Sequence, residues 1–142
     1  MKKILICLLL FITTGCMDTN YDFSKTCIKN VKSNDYNEKI KMQVNYNNEN
    51  KVTKVVMEKT YIINDTDVLN SIKISTENYN KKLKNEKGIE FKMEEYEEKY
   101  KVIYTLLPLE MSETNLKRFD IKTNSVKYFK QLQKNNYECS KK

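Results

Sequence analysis

Four cysteines, Cys7, Cys16, Cys27 and Cys139, are the chain's strongest nucleophiles, and no histidine accompanies them. Without an imidazole, Ser-His-Asp triads, Cys-His pairs and His-ligated zinc or haem are out of reach. The thiols lie too far apart in sequence for a thiolate metal site, and no C-x-x-C occurs. Two glycines cannot build a P-loop or a dinucleotide fingerprint. What remains for the thiols is acylation and disulfide formation. The carboxylates form one constellation, Glu94, Glu95, Glu97 and Glu98, with Glu90 nearby. Weak calcium binding or docking to a basic partner could use it. Alternation along a strand sends Glu94 and Glu95 to opposite faces, however, and the D-x-D-x-D-G spacing that converges oxygens on calcium is absent. A solvated hairpin tip flanked by Lys92, Lys99 and Lys101 accounts for the cluster. No catalytic residue, metal or cofactor is expected.

The setting of Cys16 gives its thiol a task. Lys2 and Lys3 precede an apolar run over residues 4–12, followed by the small residues Thr13, Thr14 and Gly15. The run is too short for the roughly 20 residues that a permanent membrane helix needs. A cysteine directly after such a segment resembles the bacterial lipobox, whose thiol takes a diacylglycerol with acyl chains of the palmitate class and becomes the mature N-terminus. Thr13 departs from that pattern, which favours Leu three residues before the cysteine, although Ile12 stands one place earlier. Residues 1–15 therefore read as a lipoprotein signal peptide and Cys16 as the lipidation site, ahead of an ordinary cleaved signal or an uncleaved anchor. Residues 16–24 read as a tether and 25–142 as a single domain. The expected location is extracytoplasmic, lipid-anchored to a bacterial cell membrane.

With Cys7 removed and Cys16 acylated, Cys27 and Cys139 are left as an even pair in a compartment that permits oxidation. A bridge between them would close nearly the whole domain, worth about 4–5 kcal/mol of loop-closure entropy. Two buried free thiols, or two that never meet, are the alternatives.

Composition limits the partners. The chain has no Ala, a single Arg (Arg118), one Pro (Pro108) and an excess of Lys, Asn, Ile and Tyr. Residues with GC-rich codons are the missing ones, which points to an AT-rich bacterium. The formal charge of +7 falls to +5 once Lys2 and Lys3 leave with the signal. That excess favours anionic headgroups or wall polymers. Nucleic acid is excluded as a partner by the lack of Arg forks and by the compartment.

Periodicity supplies the elements. A first strand is expected over residues 26–32. Ile40, Met42, Val44 and Tyr46 alternate with polar residues in a second strand over 36–47. Asn47-Asn48-Glu49-Asn50 is turn chemistry. The return strand, 52–63, carries Val52, Val55, Met57, Tyr61 and Ile63, and its change of parity predicts a bulge near Lys54. Asn64-Asp65-Thr66-Asp67 opens a helix whose apolar stripe, Val68, Leu69, Ile72, Thr76, Tyr79 and Leu83, runs to about residue 86, with Gly88 as its stop. Ile89, Phe91 and Met93 make another strand, residues 94–98 turn the chain, and Tyr100, Val102, Tyr104 and Leu106 return it to Pro108. Ser112 caps a short helix through Phe119. Asn124 caps a second, with Val126, Phe129 and Leu132 on one face, and residues 137–139 come back to the start of the domain. The plan is α+β: an antiparallel sheet of about five strands, with one long helix and two short C-terminal helices packed on one face. Most tyrosines fall on the apolar faces. Lys39, Lys41, Lys54, Lys59 and Lys92 are assigned to the solvated face.

The lipobox, the hairpin segment KVTKVV, the run KGIEFKMEEYEEKYKVIYTL and the closing LQKNNYEC together resemble the YehR-type family of bacterial lipoproteins. The resemblance implies an α+β lipoprotein domain without catalytic residues to carry over. The functional expectation is a non-enzymatic envelope lipoprotein that binds a partner protein, an anionic wall polymer or a small ligand. The binding patch is expected on the wet sheet face or in a cleft beside the long helix. A surface inhibitor using a rigid loop at residues 108–112 is the alternative within that class. A hydrolase working with carboxylates alone would need two of them facing across a cleft.

Overall fold

Among the described residues, six strands and three helices form in the order βββ-α-ββ-α-α-β. The structure, a computed structural model, describes residues 22–140 apart from Glu98. The signal segment 1–15, Cys16 and tether residues 17–21 lie outside the described residues. Strand β1 (Phe23–Lys32) leads to β2 (Asn37–Tyr46), β3 (Val52–Ile62) and helix α1 (Thr66–Lys81). Strands β4 (Ile89–Tyr96) and β5 (Lys99–Leu106) follow, then α2 (Glu113–Arg118), α3 (Ser125–Lys134) and β6 (Glu138–Cys139). All strands pair antiparallel in one open sheet of order β4-β5-β3-β2-β1-β6.

The sheet is held by alternation. Ile40, Met42, Val44 and Tyr46 of β2 are all buried, as are Val52, Val55 and Met57 opposite them on β3. Asn45 pairs with Lys54 and Tyr46 with Val52, so Thr53 is the extra residue of a β-bulge beside the predicted Lys54. The bulge lets Val52 and Val55, an odd step apart, face the same core. Leu106, Tyr104 and Val102 of β5 continue this buried layer.

Several expectations need correction. The predicted tether ran through Ser24, but β1 begins at Phe23, whose ring stacks on Tyr46 at 5.6 Å. The sheet gains a sixth strand, β6, too short to carry a periodicity of its own. The long helix ends at Lys81 and not near residue 86. Beyond it the amides of Lys82, Leu83 and Glu86 reach back only three residues, to Tyr79, Asn80 and Leu83 at 2.9–3.1 Å. These tight turns swing Leu83 into the core, where it is fully buried. Gly88 (φ +72°) stands instead at the entry to β4; a Cβ there would lie 2.8 Å from the Leu107 carbonyl oxygen. The turn after β4 is shorter than expected, so Glu94 and Glu95 belong to the strand. On α3 the inward face is Ser125, Tyr128 and Leu132, while Val126 points to solvent.

Helix starts follow their caps. The Asp65 carboxylate accepts from the amides of Asp67 (2.8 Å) and Val68 (3.1 Å), Ser112 Oγ from Asn115 (3.3 Å) and Asn124 Oδ1 from Lys127 (3.1 Å). All three helices lie on one face. α1 is tied to the β4–β5 side through the Lys73–Glu95 ion pair and the Tyr104–Asn80 hydrogen bond. α3 covers β1 and β2, with Phe129 edge-on to Tyr46 at 5.5 Å. The sheet between them is left partly uncovered.

Candidate cleft between the helices

That uncovered strip is a hollow of about 500 Å³, within the roughly 300–1,000 Å³ range of small-molecule sites. Its floor is sheet: Ile40 of β2, Met57, Lys59 and Tyr61 of β3, and Val102 and Tyr104 of β5. One wall is α1, through Ser75, Thr76 and Tyr79; the far end is Arg118, Phe119 and Asp120, and Tyr137 closes the other side. A second hollow of about 440 Å³ adjoins it along α1 and shares Tyr61, Ser75 and Thr76. The two make one groove running beside the helix toward Tyr36 and Asp67.

Aromatic rings give the groove its shape. Tyr79, Tyr104 and Phe119 form a triangle of edge-on contacts with centroids 5.4–6.5 Å apart. Tyr61 stacks on Tyr100 at 6.3 Å and meets Tyr36 edge-on at 5.9 Å. Each contact favours a fixed ring orientation. At the far end the buried Asn115 receives Arg118 Nη1 on its Oδ1 (3.0 Å) and donates its amide to Glu86 (2.7 Å). This chain of bonds aims the guanidinium. Asp120 has a positive φ of 54°, the turn that ends α2 and brings its side chain to the groove.

The hydroxyls of Tyr61, Tyr79, Tyr104 and Tyr137 stay neutral at physiological pH. Burial raises the Tyr104 pKa to about 12, with the charges of Tyr79 and Tyr100 adding and the bond to Asn80 opposing. Burial also pushes Tyr61 well above its ordinary value, reinforced by the Glu38 carboxylate that its hydroxyl contacts. Tyr79 is raised by burial against the pull of Arg118, and Tyr137 by burial and then by Glu38 and Asp120. Neutral hydroxyls of this kind offer hydrogen bonds and ring faces rather than proton transfer.

The residues singled out in sequence are placed as follows. Cys27 and Cys139 are direct partners in the β1–β6 register, joined by a disulfide with S–S 2.01 Å. Tyr137, two residues before that bond, is held at the groove's edge, and the Lys29 ammonium lies 5.6 Å from its ring centre. The acidic constellation disperses. Glu94 pairs with Lys92 (2.6 Å) and Tyr96 on the open face, which lowers its pKa through the hydrogen bonds of those two. Glu95 binds Lys73 on the helix side, and Glu98 lies outside the described residues. Among the described residues no group of three or more His, Cys, Asp or Glu side chains converges on a metal position. The loop at 108–112 is anchored by buried Pro108 and Met111, leaving Leu109 and Glu110 exposed at its tip.

Lys39, Lys41, Lys54 and Lys92 do share the open face. Lys59 does not: it pairs with Ile40 and Val102, two residues of the covered face. Its position was readable, because Val55, Met57 and Tyr61 share its parity. Arg118, Asp120 and Tyr137 carried no such signal. Comparison with family models, with curated proteins and with solved structures finds no match to this chain.

Proposed function

We propose that this chain is a non-enzymatic, lipid-anchored lipoprotein of the bacterial envelope whose domain holds a small ligand in the groove beside α1. The groove is the observation that carries the ligand half of this reading. It is concave, floored by mostly apolar side chains with Lys59 among them, lined by oriented tyrosines and bordered by few charges, the make-up of a binding pocket. The lipobox-like segment ending at Cys16 supports the anchor. The disulfide supports an oxidising compartment, since such bonds are rare in reducing ones. Resemblance to the YehR-type lipoproteins is consistent with both. Binding of a wall polymer or partner protein on the open face is less favoured, because its ion pairs Lys92–Glu94 and Lys101–Glu58 neutralise part of its charge.

The anchor is tested by the intact mass of the protein extracted from its native membranes, with and without reduction and thiol alkylation. The expected mass starts at Cys16 and carries diacylglycerol or three acyl chains, with no thiol to alkylate before reduction. An unacylated chain would remove the membrane from the account.

A further inference from the structure

Lys59 is out of keeping with its position. β3 is paired on both sides, and the register sets Lys59 directly between Ile40 and Val102, both buried. A lysine must lose part of its hydration, a penalty recovered only if its ammonium meets water or an anion. Among the described residues that ammonium has neither a hydrogen bond nor an ion pair. Two acids line the groove, Asp67 toward its outer end and Asp120 at the far end. The Asp120 carboxylate accepts from the Asn135 amide at 3.3 Å, and among the described residues no ion pair joins either acid to Lys59. Arg118, at the far end of the same hollow, spends one N–H on Asn115 and has further donors in its fork. Two cations and one carboxylate, Asp120, thus border one hollow whose other walls are aromatic rings, aliphatic side chains and the hydroxyls of Ser75 and Thr76.

We infer, resting on the reading of the groove as a ligand site, that its ligand is a small flat carboxylate. The carboxylate meets the Lys59 ammonium on the floor with Arg118 at the end, and the planar apolar body lies among Tyr61, Tyr79 and Tyr137. Lys59 is then the specificity-determining residue. The charge-assisted bond separates an acid from its neutral isostere, while the rings bind both alike.

The experiment titrates the full-length protein, in nanodiscs of zwitterionic lipid, with three probes of one shape: 2-naphthoate, 2-naphthamide and 2-naphthylmethylamine. Empty nanodiscs give the background. The expected result is that naphthoate binds about tenfold more tightly than naphthamide, a difference of about 1.4 kcal/mol. Lys59→Met should bring naphthoate down to the naphthamide level, and Lys59→Glu should turn the preference toward the naphthylmethylammonium ion. Unchanged naphthamide affinity in both variants shows that the groove is still folded. Equal binding of acid and amide, untouched by Lys59→Met, overturns the carboxylate inference and leaves the groove as a binding site. No binding by any of the three overturns both.

Discussion

The Tyr104 hydroxyl donates to Asn80 Oδ1 at 2.9 Å, joining the interior strand β5 to the last turn of α1. Both side chains are buried, 4% and 1% exposed, and the Asn80 Nδ2 already lacks a partner among the described residues. Tyr104→Phe would leave that amide wholly unsatisfied, so a loss of about 1–3 kcal/mol is expected. Tyr128 provides the contrast. Its hydroxyl is buried with no partner among the described residues, and Tyr128→Phe should be neutral or slightly stabilising. Chemical denaturation of the two variants checks the pair, and equal losses would contradict the hydrogen-bond assignment.

The Cys27–Cys139 bond spans 112 positions and fixes β6 against β1. Cross-linking so long a loop restricts the unfolded chain by about 4–5 kcal/mol at most. Cys27→Ala with Cys139→Ala should therefore lower the unfolding midpoint well beyond the effect of the two lost sulfur contacts. It should also free Tyr137 from the groove's edge. Thermal unfolding with and without reductant measures the first effect, and the naphthoate affinity measures the second. An unchanged midpoint would show that the bond adds nothing to stability.

Alkaline pH should unfold the domain cooperatively. Tyr61, Tyr104 and Tyr128 all have folded-state pKa values raised above the unfolded value, first by burial. Such groups hold their protons in the folded state while the unfolded chain releases them, so stability is full below about pH 10 and falls as pH rises further. For Tyr104 the window closes near pH 12. Tyrosinate absorbance should therefore appear in two phases, exposed rings first and buried rings together with the loss of helical circular dichroism. A single early phase, with the fold intact, would contradict the burial of these rings.

Much of this architecture is legible in the chain. Alternation at Ile40, Met42, Val44 and Tyr46 reveals a strand with one wet face, and the step from Val52 to Val55 reveals a bulge near Lys54, which the register puts one residue earlier, at Thr53. The cysteine count pairs Cys27 with Cys139, and the caps Asp65, Ser112 and Asn124 set helix starts. What stays hidden depends on contacts distant in sequence. β6 exists through its register with β1, and α1 ends at Lys81 while Leu83, the last residue of the predicted stripe, is still buried in the core. The groove is harder still, since it arises where α1 and α3 sit over different parts of the sheet. Lys59 is the instructive case: its parity pointed inward and its charge outward, and parity prevailed.

The most direct measurement of the groove uses protein labelled with ¹³C at its methionine methyls. Met57 lines the groove floor, while Met93, 39% exposed on β4, lies outside it. Titration with 2-naphthoate should shift the Met57 methyl and give intermolecular Overhauser contacts to it, with Met93 unmoved. Shifts at Met93 with Met57 silent would place binding elsewhere and contradict the account.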